Sequence, residues 1–352
     1  MLEYRTQGFN GYSVKYSPFF DSRLAVASSA NFGLVGNGRL HILNLTPPGI
    51  VAEHHFDTQD SLFDLSWSEA NENQLLAASG DGSIKLFDIS VPSFPVQAWH
   101  EHAREVFAVH WNLVAKDTFL SSSWDGTIKI WNPHSASSIA TLPTHSCTYS
   151  ASFSPHSPSV LSAVSSDSHL RIFDLRTPAS ASNHLTLSIP IHSPPKSRVG
   201  APVPIPAAPS EALSHDWNKY RDGIIATAGV DRCIRSFDIR APGAGPIALL
   251  PGHEYAVRRV TWSPHLSDVL LSASYDMTCR VWTDGTAMGV GAGGKEADPM
   301  AFGGGREMGR MGRHTEFVTG VDWCLFGAEG WCASCGWDER VLVWDVRAVM
   351  GR

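Results

Sequence analysis

An all-β fold, a propeller of seven four-stranded blades closed into a ring, is what this 352-residue sequence predicts, on three observations. A short frame, in which an aromatic or leucine follows an acidic or amide residue by six positions, recurs seven times. Its first four copies are spaced by 42 to 44 residues. Upstream runs a second segment that alternates and ends on an aromatic, the pattern of a half-buried strand.

The frame is clearest in Ser79-Gly80-Asp81-Gly82-Ser83-Ile84-Lys85-Leu86-Phe87 and in Ser123-Trp124-Asp125-Gly126-Thr127-Ile128-Lys129-Ile130-Trp131. The same interval joins Asp167 to Phe173, Asp231 to Phe237, Asp276 to Trp282, Asp338 to Trp344 and, in weakened form, Asn37 to Leu43. Val106-Phe107-Ala108-Val109-His110-Trp111 and Val257-Arg258-Arg259-Val260-Thr261-Trp262 are alternating segments. Four histidines, His102, His145, His253 and His314, stand 22 to 24 residues before Asp125, Asp167, Asp276 and Asp338. An interval kept at several registers cannot come from composition.

On these residues the chain resembles the WD-repeat β-propeller family. The resemblance implies that the histidine, the aspartate and the tryptophan of a blade, with a serine or threonine, form a buried hydrogen-bond network. His102, Asp125 and Trp131 would form one such set, His253, Asp276 and Trp282 a second, and His314, Asp338 and Trp344 a third. His145 would serve Asp167, and His192 would serve Asp231. A carboxylate held in a buried turn must have its charge matched, and an imidazole and a hydroxyl are suitable partners. The tryptophans would pack between neighbouring sheets, where their area counts most.

Residues 1–352 thus read as one domain with two insertions. Asp167 to Asp231 spans 64 residues and Asp276 to Asp338 spans 62, each about twenty more than the repeat. The first excess falls in the Pro-rich stretch 193–209, expected as an extended loop after His192 on the face of the Asp turns. The second falls in the Gly-rich stretch 284–313, also expected as a loop. Few residues follow Trp344, so Leu2 to Thr6 is expected to supply the last blade's missing strand, which also removes the sheet's open edges.

Composition excludes several functions. A net charge of −7 argues against a phosphate-binding surface and hence against nucleic acid as a partner. No apolar run reaches the ~18 residues of a membrane helix and the first residues lack a leader pattern, so a soluble, non-secreted protein without direct membrane insertion is expected. Six scattered cysteines fit a reducing compartment, and Asn44-Leu45-Thr46 matches a glycosylation sequon by chance. Gly289 to Lys295 carries the glycines and lysine of a phosphate loop, but Glu296 stands where a magnesium-binding hydroxyl belongs. Cys332 and Cys335 have a zinc-like spacing, yet three apart on a strand they face opposite sides of the sheet. No nucleophile is paired with a base, so the reading is a binding scaffold with no catalytic residue, metal or cofactor.

Several segments outside the repeat core are distinctive: Phe9 to Val14, Tyr16 to Phe19, Phe32 to Gly38, Ser61 to Ser68, Glu101 to Phe107, Tyr255 to Val260 and His314 to Phe317. Taken in order, they look like the WD-repeat peroxins that are receptors for the type 2 peroxisomal targeting signal, from about Gly8 to Asp345. The resemblance implies cargo proteins with an N-terminal nine-residue signal, which binds as a basic amphipathic helix, a co-receptor peroxin and a peroxisomal docking complex. It also implies cycling between cytosol and peroxisome matrix. A generic WD-repeat adaptor, as in a ubiquitin ligase or chromatin complex, is the alternative.

A basic amphipathic helix needs carboxylates for its charged end and an apolar groove for its other side. Asp60 and Glu105, read as equivalent positions at the start of adjacent inner strands, are the expected partners of the signal's basic residue. Trp124, Tyr275 and Trp337, each just before a turn aspartate, are expected as exposed aromatics, with Tyr149 beside them. Arg258 is expected to meet the helix C-terminus or the co-receptor.

Overall fold

A computed structural model describes residues 1–350 apart from 92, 180–181, 193–208, 287–303 and 328. The described chain forms seven antiparallel four-stranded sheets, and its only helical pieces are three short 3-10 turns. The first strand of each blade contacts the first strands of both neighbours, so these strands form the inner ring. They are Asn10–Tyr16, Leu62–Trp67, Val106–Trp111, Thr148–Phe153, Ala212–Trp217, Val257–Trp262 and Val318–Trp323, for blades one to seven.

The ring closes through the chain's first strand. Leu2–Arg5 pairs antiparallel with Arg340–Asp345, Leu2 opposite Val343, and completes the seventh blade. Seven apolar clusters are found among the described residues, and each lies between two consecutive blades, so the core is a set of radial seams. The second-to-third blade seam shows why tryptophan recurs. Trp99, Trp111, Phe119 and Trp131 interlock there, with Trp99 and Trp131 ring centres 6.1 Å apart. Cys332 enters the seam between blades six and seven and Cys335 that between seven and one, the opposite faces expected of that strand.

The repeated aspartate makes the turn between the second and third strands. Asp125 Oδ1 accepts the Thr127 N–H at 2.9 Å, and Asp276 Oδ1 accepts that of Thr278 at 3.1 Å, the Asx geometry that closes a chain reversal. The next residue must then adopt a left-handed conformation, φ 85° at Gly82 and 78° at Gly126.

Three blades build the full network. His102 Nδ1 lies 2.8 Å from Asp125 Oδ2 and its Nε2 2.8 Å from Ser121 Oγ, which accepts the Trp131 indole N–H at 2.8 Å. His253, Asp276, Ser272 and Trp282 repeat it in blade six, and His314, Asp338, Ser334 and Trp344 in blade seven. Burial alone would raise the Asp125 and Asp276 carboxyls, but the bonds from these histidines and from Thr127 and Thr278 hold both well below the carboxylate range. Blade five keeps His192 Nδ1 at 2.8 Å from Asp231, yet Thr227 and Phe237 replace the serine and tryptophan, and His192 Nε2 has no partner among the described residues.

His145 is a correction. It is exposed, with φ 59°, and takes no part in the network; Asp167 is held by Ser165 and Arg171 instead. The decisive register is to the inner strand: His102, His253 and His314 precede Val106, Val257 and Val318 by four residues, His145 precedes Thr148 by three. Thr144 occupies the histidine's place, its hydroxyl 2.6 Å from that of Thr148.

The two insertions sit differently. Residues 193–208 lie outside the described chain, but they join the outer strand Leu185–Pro190 to the inner strand Ala212–Trp217. The stretch 284–313 is not a loop throughout. Arg306–Met311 is the outer strand of blade six, paired with Cys279–Thr283. The undescribed 287–303 therefore joins a third strand to a fourth, and its ends stand on the face opposite the Asp turns.

Candidate functional site at the mouth of the channel

Every inner strand carries a β-bulge at one place. The pairing register slips between Gly11 and Ser13, Leu62 and Asp64, Val106 and Ala108, Thr148 and Ser150, Ala212 and Ser214, Val257 and Arg259, and Val318 and Gly320. A bulge leaves one residue unpaired and re-aims its side chain. The seven residues so released are Tyr12, Phe63, Phe107, Tyr149, Leu213, Arg258 and Thr319, and all but Thr319 line one cavity of about 470 Å³ at the Asp-turn end of the channel.

Aromatic contacts run round this mouth from blade to blade. Phe107 stacks on Phe63 and on Trp124 with ring centres 4.6 and 4.4 Å apart, and Tyr149 meets Trp124 edge-on at 5.8 Å. Phe63 meets Tyr12 at 5.1 Å, and Tyr12 meets Trp337 at 5.9 Å. Phe317 lies between Trp337 and Tyr275, 5.2 and 4.8 Å from them. The loop Ala30–Gly33 adds Phe32, which lies 5.4 Å from Trp337 and whose carbonyl accepts the Tyr12 hydroxyl at 2.7 Å. The four expected aromatics are therefore in the mouth, but as half-buried members of a ring rather than as free rims.

The acids are arranged differently from the expectation. Backbone bonds from the turns fix the equivalence: Trp124 N–H donates to the Glu105 carbonyl, Gly80 N–H to that of Ser61, and Val230 N–H to that of Glu211. Ser61, not Asp60, thus holds the place of Glu105. Asp60 is one residue earlier and stands off the cavity lining, with Oδ1 accepting the Ser61 N–H at 2.7 Å and lying 2.8 Å from where a Gly80 Cβ would be. Glu211 is the second acid of the lining and was missed. It accepts the Tyr149 hydroxyl at 3.0 Å, and burial together with Glu211 keeps that phenol protonated, well above the ordinary tyrosine range.

Cations complete the picture. Arg104 lies 3.6 Å from Glu105 and spans the Trp124 face, its Cζ 5.4 Å from the ring centre. Arg258 is buried, and its Cζ approaches Phe107 of the third blade at 6.0 Å. Next to it in sequence, Arg259 reaches across the channel to bond Asp64 of blade two. Among the described residues no group of three or more His, Cys, Asp or Glu is placed to hold a metal ion. The arrangement offers stacking area and apolar contact in the centre with carboxylates at its side, a surface for a cationic, amphipathic polypeptide segment.

Comparison with known proteins agrees with the fold and sharpens the kinship. The repeat described as "WD domain, G-beta repeat" matches residues 93–132, 136–174, 244–283 and 305–345. A protein of Saccharomyces cerevisiae named "Peroxisomal targeting signal 2 receptor" is 41% identical over 98% of this chain and 99% of its own length. Proteins of that name from Schizosaccharomyces pombe and Mus musculus are each 35% identical, over 98% and 97% of this chain and 99% and 95% of their own lengths. With identity at this level running through all seven blades, the chain belongs to the peroxisomal targeting signal 2 receptor family.

Proposed function

We propose that this protein is a receptor for peroxisomal matrix import, which binds the N-terminal type 2 signal of cargo proteins in the cytosol and, with a co-receptor, delivers them to the docking complex at the peroxisome. It cycles between cytosol and peroxisome matrix and catalyses no reaction. The observation that carries the reading is the aromatic ring of the mouth with Glu105 and Glu211 in its wall. Phe63, Phe107, Trp124 and Tyr149 receive the apolar side of the signal helix, and Tyr275 and Trp337 hold it from the other side. Glu105 and Glu211, with Asp60 beyond the lining, attract its basic residue, and Arg258 lies beneath. The kinship with proteins named for this receptor role supports the same reading.

The test is a fluorescence titration of a labelled signal peptide against the full chain, with a peptide whose first basic residue is replaced as the control. Tight binding of the intact peptide alone supports the reading. Equal binding of both peptides, or of neither, refutes it. The double variant D60K/E105K separates the roles of these acids, since unchanged affinity with intact folding removes both from the site.

A further inference from the structure

In blade one the turn between the second and third strands, Arg23–Ser29 and Gly38–Thr46, is a longer loop, 30–37. Its base is tied to the mouth: Phe32 N–H donates to Asn10 Oδ1 at 2.8 Å, and Asn10 Nδ2 donates to the Trp337 carbonyl at 2.7 Å. Asn31, Phe32 and Gly33 are left-handed in succession, with φ 48°, 57° and 70°, and such strain persists where the surroundings enforce it for a function. Gly33 has no room for a side chain, since a Cβ would stand 2.6 Å from the Tyr12 hydroxyl oxygen. The tip is the opposite of the base. Leu34 and Val35 are 83% and 75% exposed, more than any other large apolar residue among the described residues. They lie between Gly33 and Gly36, both at positive φ, and the bonds that hold them are long and exposed: Leu34 N–H to the Asn31 carbonyl and Asn31 Nδ2 to the Val35 carbonyl, each 3.2 Å. Leu34 already lines the mouth, and Val35 stands just outside its lining.

We propose that Leu34 and Val35 are a clamp that folds over a peptide helix seated in the mouth and slows its release, an inference that deepens the receptor reading and rests on it. A helix about 10 Å across, resting in an open mouth, keeps its outer side in water. The aromatic ring meets its underside. The tip, turning about Gly33 and Gly36 on a fixed base, covers the flank next to blade one, and the burial of two aliphatic side chains that the free protein leaves in water drives the closure. Because the tip stands beside the opening and not across it, entry is unobstructed and closure acts on the dissociation rate. The aromatic ring and the acids choose the ligand; the clamp sets how long it stays.

The experiment is stopped-flow fluorescence with a labelled type 2 signal peptide and the full chain as wild type, L34N/V35N and L34M/V35I. L34N/V35N is expected to release the peptide about tenfold faster with association within about twofold of the wild type, and L34M/V35I, which keeps the tip apolar, to behave as the wild type. Without peptide, the thermal midpoint of L34N/V35N should stay within about 1 °C of the wild type, since both side chains are then in water. Amide exchange in 30–37 should slow about tenfold when peptide binds the wild type, and not when it binds L34N/V35N. An unchanged release rate, an association rate that falls as much as release rises, or a lowered midpoint overturns the clamp. So does a peptide that binds the wild type and leaves exchange in the loop unaltered. If the wild type binds no signal peptide, the receptor reading itself fails, and the clamp with it.

Discussion

Arg259 of blade six and Asp64 of blade two meet across the central channel, Nη2 to Oδ1 at 2.7 Å. Asp64 also accepts the Ser13 hydroxyl at 2.7 Å from blade one, and both charged residues are buried. The pair therefore ties together blades that share no sheet. Beside it, Arg258 lines the cavity at the mouth while Arg259 does not, so two consecutive residues serve different parts of the channel.

Removing Asp64 alone strands a buried guanidinium. D64A is expected to destabilise by about 3–5 kcal/mol, whereas D64A/R259M should lose much less, because the pair's removal leaves no unmatched charge. Urea unfolding of the two single variants and the double variant checks this, and additive losses would contradict it.

The histidine register gives a sharp contrast. H253A removes the imidazole that donates to Asp276 and accepts from the Ser272 hydroxyl, leaving a buried carboxylate one bond short and a buried hydroxyl without its acceptor, so a loss of about 2–4 kcal/mol is expected. H145A, at an exposed residue outside the network, should stay within about 0.5 kcal/mol of the wild type. Thermal melts of the two variants side by side decide it.

Buried neutral histidines set an acid limit. Burial pushes His215 down to about 4 and His41 down to about 3, below the ordinary value of 6.5. The unfolded chain takes up protons first, so their contribution is full above pH 6.5 and is lost as pH falls from there toward 4. His215 alone should cost about 2 kcal/mol between pH 7 and pH 5. The loss between the two pH values should be smaller by about that amount in H215Q, which keeps a partner for Ser152 and Ser162 while His41 continues to contribute, and an undiminished loss in denaturant titrations would contradict it.

Within the mouth, F107A is expected to weaken signal binding more than Y275A, by about tenfold or more, because Phe107 touches Phe63, Trp124 and Tyr149 at once. E211Q and E105Q should each weaken it more at low salt than at high salt. Peptide titrations at two ionic strengths measure both effects, and a salt-independent loss would remove the acids from an electrostatic role.

The seven blades were legible because the Asp turn repeats in sequence as it does in space. Trp124, Tyr275 and Trp337 were legible for the same reason, each standing one residue before that aspartate. Tyr12, Phe63, Phe107 and Leu213 were not, since a one-residue bulge leaves no trace in an alternating pattern that simply reads on through it. Glu211 was hidden by the stretch 193–208, which separates it from the histidine that marks the other blades. Arg306–Met311 was hidden because its Gly-Arg-Glu-Met-Gly-Arg setting lacks the apolar rhythm of an inner strand; outer strands face solvent and need none.

The join between Leu2–Arg5 and Arg340–Asp345 imposes an order on biosynthesis. Leu2–Arg5 leaves the ribosome well before its partner Arg340–Asp345, and through all that interval it is an unguarded ribbon able to pair with a stranger. Glu3 and Arg5, both exposed on that strand, are the kind of charged side chains that discourage such adhesion until the circle is complete.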